Sequence, residues 1–504
     1  MNKKTIFKKT ALAILISASF QSIAIGETVN PLLEERVNFT GTPSQNLNEI
    51  QWTVIGVPEG VNFSHENMAG NPRDIAINAI TEIRRSGFLD RYIFVDQNNG
   101  IIEIKKADSQ LDGELVKFLP KEIEGNAISK RLPLIRKAAE SYNGTPDIKI
   151  GQIENGILPV SANVKEKDKR YQKGVTLSSF GSRYSGTDTV SLFAYGSPFD
   201  GYILKSSYSY GLSDFRSSSD GGKYHGLSLN LEKPEPFGVL GANYLYSNSK
   251  QGGVFLPLDM NQYVHVVDLY LSYPMINNNY QVGIKHVDQS MEMNAINLES
   301  KQRYQSLVFS HDMRKGFNTS NPNFVSNLKI DHNLSFGING NTDGILYGVG
   351  AKDNWVKYEI ELNHEQRIHD FQLSTHIGMQ LSDTEFLPNH EKFYLGGPRR
   401  GSSYYAGVAS VEQGMYFSTR LYSQTIDLYE KDNNSLTLRP FIGYNQSYGK
   451  SNTLGTLEAR SIELGTKINF GNQFIGELGL SHRVNDDFNP DDDSRLMFNI
   501  SYLF

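Results

Sequence analysis

Residues able to carry chemistry are sparse in this 504-residue sequence, and their spacing narrows the choice further. There is no cysteine, which removes thiol catalysis and cysteine-ligated zinc. The eleven histidines include no His-Glu-x-x-His pattern, so His364 and His369 read as residues at strand or loop ends and not as a metal pair. Asp486, Asp487, Asp491, Asp492 and Asp493 offer oxygen ligands without the spacing of a dedicated calcium site, and read as a solvated loop. Neither a Gly-x-Ser-x-Gly elbow nor a phosphate-cradling glycine loop ending in Lys-Ser is present. One cluster remains: Gly396, Gly397, Arg400 and Gly401. Its glycines permit tight backbone turns, and by its letters alone a Gly-Gly followed shortly by Arg-Gly reads as an ordinary surface loop. None of these groups points to catalysis, and the chain reads as a non-enzyme without cofactor.

The elements that would position this cluster begin with an export signal. Lys3, Lys4, Lys8 and Lys9 precede a broken apolar stretch over residues 11–25, and Ala24 and Gly26 fit cleavage before Glu27. Residues 1–26 are therefore set aside as a signal peptide. No later segment holds the run of about 18–20 apolar residues that a spanning helix needs. Without the signal's four lysines, 45 basic residues face 55 acidic ones, a net charge of −10 that argues against nucleic acid as a partner. A long cysteine-free chain also suits a protein that crosses an oxidising periplasm unfolded.

If such a chain crosses a membrane it must do so as a closed barrel, in which lipid-facing and lumen-facing side chains alternate. Val356, Tyr358, Ile360 and Leu362 alternate with Lys357, Glu359, Glu361 and Asn363. Ile462, Leu464, Thr466, Ile468 and Phe470 alternate with Ser461, Glu463, Gly465, Lys467 and Asn469. At the C-terminus Leu496, Phe498, Ile500, Tyr502 and Phe504 share one face. Residues 171–504, at about 20 residues per strand and turn, give about sixteen strands. Turn signals at 217–222, 277–279, 340–344, 432–435 and 485–494 punctuate them.

Ahead of the barrel the pattern changes to mixed α and β. Residues 50–57 read as a strand and 74–85 as a helix burying Ile75, Ala76, Ala79, Ile80 and Ile83, with Asn71 or Pro72 at its start and Gly87 at its end. Strands at 92–96 and 101–105 flank a hairpin signal at 97–100. The order then repeats: a strand at 114–119, a helix at 128–142 containing Pro133, and strands at 148–153 and 157–164 around Asn155 and Gly156. The expected layout is an N-terminal segment at 27–46, α+β modules at 47–107 and 108–170, and the barrel at 171–504. The fold class is mainly β.

Over nearly the whole mature chain this layout resembles the TpsB transporters of two-partner secretion, the haemolysin-activator family within the BamA superfamily. The sharpest local match is Phe393, Leu395, Gly396, Gly397, Arg400 and Gly401, similar to that family's Gly-Gly and Val-Arg-Gly-Tyr loop motif; Glu412, Gly414 and residues 415–422 continue it. Residues 174–192, with Arg183, Gly186 and Asp188, look like the family's first strands. About eleven strands fit before His390 and about four after residue 422, which places the motif in the sixth extracellular loop.

The resemblance implies two periplasmic POTRA modules, a sixteen-stranded outer-membrane barrel, and export of an unfolded TpsA-like partner protein. It implies a loop folded into the lumen, its arginine bound to a lumenal aspartate. Here Ser402 replaces the usual aromatic residue and Asn445 stands where the acid would be, so Glu463 or Glu477 is the expected partner of Arg400. A family plug helix would be reduced to a remnant at 31–37 or absent. Phe498, Ile500, Tyr502 and Phe504 would serve as the membrane-assembly signal, and the remaining partners implied are outer-membrane lipid, periplasmic chaperones and the barrel assembly machinery, with the chain a monomer. An assembly factor of the BamA type and a diffusion porin remain the alternatives.

Overall fold

The computed structural model describes residues 37–40, 51–63, 68–121, 123, 125–212, 222–318, 324–343, 354–384, 386–431, 434–451, 455–471, 473–485, 488 and 493–504. The chain divides into two compact units, residues 1–129 with 148–162, and residues 130–147 with 163–504.

In the first module, strands β1 (Val37–Thr40), β2 (Gln51–Ile55), β3 (Met68–Ala69), β4 (Arg91–Asp96) and β5 (Ile101–Lys106) form a sheet in the order β1-β4-β5-β2-β3. Helix α1 (Pro72–Arg85) starts where Asn71 accepts a hydrogen bond from the Arg73 amide at 3.0 Å and Pro72 occupies the first turn. Its stripe of Ile75, Ala76, Ala79, Ile80 and Ile83 is buried in one cluster with Trp52, Val54, Ile93, Val95, Ile102 and Ile104. The β4–β5 hairpin turns at 97–100, where Asp96 accepts from the Asn98 amide at 3.0 Å and the Asn99 side chain at 2.8 Å. The sheet starts before the expected boundary at 47, because Val37–Thr40 pairs in parallel with β4. Apart from 37–40, the expected plug segment 27–46 lies outside the described residues, as does the signal peptide.

In the second module β6 (Asp108–Asp112), β7 (Gly144–Ile150) and β8 (Ile157–Glu166) lie in the order β6-β8-β7, with helix α2 (Gly125–Ser141) containing Pro133. The strand expected at 114–119 is instead a single 3₁₀ turn, Val116–Phe118, and the strand precedes it at β6. Leu115 and Phe118 are buried there one turn apart in a compact bend, a pattern that a short apolar run shares with a strand.

The barrel runs through β9 (Tyr171–Ser178), β10 (Asp188–Gly196), β11 (Ile203–Leu212), β12 (Lys223–Glu235), β13 (Gly238–Lys250) and β14 (Met260–Pro274). It continues through β15 (Asn278–Met293), β16 (Leu298–Asn318), β17 (Phe324–Asp343), β18 (Val356–Ile368) and β19 (Phe371–Ser382). A short hairpin of β20 (Phe393–Leu395) and β21 (Ala409–Val411) then intervenes outside the wall. The wall resumes with β22 (Gln413–Tyr422), β23 (Ile426–Lys431), β24 (Asn434–Ser451), β25 (Gly455–Phe470), β26 (Phe474–Arg483) and β27 (Ser494–Leu503), which closes on β9. Because β22 and β23 both pair with β24, they are one strand interrupted at 423–425, and the closed barrel has sixteen strands.

The expected alternation is plain in β25, where Ile462 and Leu464 are exposed on the outer face while Ser461 and Glu463 are buried. An apolar outer face and a polar inner one define a transmembrane barrel, since only a closed wall satisfies every backbone group in lipid. At the C-terminus Leu496, Tyr502 and Phe504 are exposed, but Phe498 is buried where its backbone bonds Ser179 across the closing seam. The turn expected at 340–344 is displaced: β17 continues to Asp343, paired with Lys301, and a bulge opposite Gln305 and Ser306 absorbs the extra residue. At the end where the chain enters the barrel the connections are short, such as 236–237, 275–277 and 369–370; the other end carries the long ones.

Candidate functional site: a loop folded into the lumen

Residues 383–412 connect β19 to β22, after eleven wall strands and ahead of four that follow the interrupted one, making this the sixth connection at the far end. Its stem is the β20–β21 hairpin, which buries Phe393, Leu395 and Val411 against Tyr416 of the wall. Gly396 and Gly397, at φ +83° and +81°, turn the chain from β20 into the tip, and Gly407 at +70° returns it toward β21. The tip closes on itself, with the Gly396 amide donating to the Arg400 carbonyl at 2.9 Å and the Gly397 amide to the Tyr404 carbonyl at 3.0 Å.

The tip is fastened to lumen-facing residues of four consecutive strands. The Ser402 amide donates to Asn445 Oδ1 at 2.7 Å, and the Ser402 hydroxyl lies 2.6 Å from Ser481 Oγ. Ser403 Oγ lies 2.6 Å from Ser461 Oγ, and Ser447 donates to the Arg400 carbonyl at 2.6 Å. Arg495 of β27 donates to the Tyr404 carbonyl at 2.9 Å. Ser402, which departs from the family pattern, thus joins the fastening through hydroxyl and amide together.

The expected pairing of Arg400 with Glu463 or Glu477 is not formed. Arg400 stacks on Phe393 at 4.4 Å and Tyr416 at 5.0 Å, donates to the Tyr394 carbonyl at 3.2 Å, and approaches Glu361 only to 3.8 Å. Both glutamates belong to Arg420 of β22, which binds Glu463 at 2.7 Å and Glu477 at 2.7 Å. Register explains the substitution. Arg420 is paired with Gly443, and Gly443 with Glu463, so the arginine and the carboxylate flank a residue with no side chain. A Cβ at 443 would stand 2.8 Å from Glu463 Oε2 and 3.0 Å from Arg420 Cγ. Asn445 then completes the network by donating to Glu463 at 2.7 Å.

A second anchor, not foreseen from the sequence, holds the loop's first leg. Glu391 lies in a 3₁₀ turn, Asn389–Glu391, and is fully enclosed. It pairs with Lys285 of β15 and with Lys357 of β18, the latter at 2.6 Å, and accepts from the Tyr304 hydroxyl of β16 at 2.7 Å. Burial alone would raise this loop carboxyl's pKa. The Lys285 and Lys357 ammoniums outweigh it and hold the group well below the usual carboxylate range. Gln380 ties the two legs together by donating to the carbonyls of Glu391 at 2.9 Å and Glu412 at 3.1 Å. Lys357 was visible in the sequence as a charge on a lumen face, and Glu391 stands two residues before Phe393; nothing in the letters joined them.

The other candidates separate. His364 lies 2.8 Å from Ser326 on the outer face, whereas His369 is a turn residue at φ +54°. Of the acidic run only Asp493 is among the described residues, and it pairs with Arg483.

In overall structure the chain is similar to CdiB from Escherichia coli, with a TM-score of 0.65 and 14% identity over 94% of this chain and 95% of that one. Its fold is that of CdiB. CdiB from Acinetobacter baumannii gives a TM-score of 0.61 at 15% identity, covering 94% of this chain and 92% of that one. BamA from Haemophilus ducreyi lacking POTRA domains 1-3 gives 0.51 at 12% identity, with 93% and 99% covered. At the level of sequence no protein-family model matches, and no curated protein does.

Proposed function

We propose that this chain is a TpsB-type transporter of the Gram-negative outer membrane, which moves one specific unfolded partner protein from periplasm to cell surface. The observation that carries the reading is the combination, in one chain, of N-terminal α+β modules, a sixteen-stranded barrel and a glycine-arginine loop folded into its lumen. CdiB, a TpsB transporter, shares this fold over nearly its full length. In this reading the two modules are POTRA domains in the periplasm. They take up extended segments of the partner by strand addition, for which β7, an edge of the β6-β8-β7 sheet, is the proposed docking strand. The partner then threads the lumen, and its folding outside makes the passage directional without a nucleotide.

The test compares culture-supernatant and outer-membrane proteins of cells with and without the gene. Loss of one or two secreted proteins, with the other barrels intact, is the expected result. General depletion of barrels would replace the reading with an assembly factor, and no change in either fraction would leave a diffusion channel. A second measurement addresses the plug: deleting residues 27–36, which spares β1, should leave open-pore current nearly unchanged, whereas a large rise would show that this segment blocks the channel.

A further inference from the structure

The two anchors of the lumen loop differ in what each leaves behind when it is broken. At the tip, the wall's carboxylates are already satisfied within the wall, since Arg420 is bound by Glu463 and Glu477 and Glu463 also accepts from Asn445, while Arg495, which donates to the Tyr404 carbonyl, keeps the Ser179 carbonyl as an acceptor when that bond breaks. Lifting the tip would uncover serine hydroxyls, an asparagine amide and backbone groups, each of which a lumenal water can satisfy in turn. At the first leg the situation is reversed. The counter-charge for Lys285 is supplied by the loop itself, and Lys357 divides its charge between Glu391 at 2.6 Å and Glu359 of its own strand at 3.1 Å, so removing Glu391 would strand the Lys285 ammonium and the Tyr304 hydroxyl and leave Lys357 with the more exposed of its two partners. The backbone joints are arranged to match, since Gly396, Gly397 and Gly407 stand at the base of the tip, beyond the β20–β21 hairpin.

We propose that Glu391 is the fixed point of the lumen loop, a positioning residue about which the glycine-jointed tip swings away from β24–β27 to open a path for a translocating chain. The inference rests on the export reading for what passes, but not for whether the pore opens. Opening is confined to the side of the lumen lined by Asn445, Ser461 and Ser481, while the side around Lys285 and Lys357 keeps the stem seated. Arg400 serves the stem: stacked on Phe393 and Tyr416, it stays with the hairpin as the serines leave.

The absence of native cysteine makes the test direct. Ser403→Cys with Ser461→Cys joins tip to wall at a pair whose hydroxyls are 2.6 Å apart. In planar bilayers the full-length double variant should lose openings by about tenfold or more on oxidation and regain them with dithiothreitol. Asn389→Cys with Gln302→Cys, bridged by a short bis-maleimide, tethers the first leg beside Glu391 and should leave openings within about twofold of the unbridged variant. Glu391→Lys should give a permanently leaky pore, and Lys357→Glu added to it should restore closure. Heat-modifiable gel migration identifies any variant that does not fold, and Glu391→Gln then takes its place. Unchanged openings with the tip locked, or lost openings with the leg tethered, would overturn the proposal. If the locks behave as expected but no secreted protein depends on the gene, the pivot stands and the export reading fails.

Discussion

The first module and the barrel wall use the same period-two alternation to opposite ends. In the module, Trp52, Ile93 and Ile102 turn inward onto Ile80 and Ile83 of α1 and are fully buried. In the wall, Ile442, Leu464 and Leu480 point outward and are more than half exposed, while Asn445, Ser461 and Ser481 are sealed inside. The module is held by apolar packing against itself, whereas the wall surrenders its apolar face to lipid and is held together from within by hydroxyls, amides and paired charges. Burial therefore reports apolar packing in one region and polar fastening in the other. A buried serine is unremarkable in the barrel and would be a defect in the module.

Substitutions can break or sharpen this contrast. Trp52→Ala should have the largest effect, about 3–5 kcal/mol, because it opens a cavity that the module cannot fill. Hydrogen exchange at the α1 amides of the full chain would register it, and a loss below about 1 kcal/mol would mean that the module does not depend on its packed core. Gly443→Val should cost about 3 kcal/mol by driving Arg420 from Glu463. The cost should nearly vanish in a background of Arg420→Met, Glu463→Gln and Glu477→Gln, which a comparison of heat-modifiable migration would reveal. Leu464→Arg should cost about 2–4 kcal/mol in urea titrations of folding into vesicles, the value for a charge near mid-bilayer. Leu464→Ala should cost no more than about 2 kcal/mol, since lipid fills the space and only transfer energy is lost. If it instead matched Trp52→Ala, the outer face would be packed against protein. Asn71→Ala should be smallest, about 1 kcal/mol, through loss of the α1 cap alone.

Much of the fold was legible in the sequence because local rules dominate where it was. The α1 stripe, the hairpins at 97–100 and around Asn155, and the alternation of β18 and β25 each follow from residues close in the chain. Short apolar runs were less legible: residues 114–119 satisfy a strand pattern and a compact turn equally. The loop's position could be found by counting strands, but its contacts could not. Whether Arg400 or Arg420 meets Glu463 depends on how each strand is staggered against the next, a sum of small offsets around the barrel that no single segment encodes. Glu391 was missed for a related reason, since its three partners lie on strands up to 106 residues away from it in sequence.

The alternation of the wall also governs how such a chain ages. A lipid-facing position asks only for membership in a class, and leucine, isoleucine, valine, phenylalanine or tyrosine can replace one another there at little cost. Letters are then free to turn over while rhythm is kept. Over enough generations an aligned comparison of two such barrels falls silent although every strand still occupies its place. The positions that should resist this erosion are those where a particular atom is needed: the bare α-carbon at Gly443, the carboxylate at Glu391, the forked cation at Arg420. On this physical ground, lineage in this architecture should be written in a handful of interior residues and hardly at all in the long outward-facing faces of the strands.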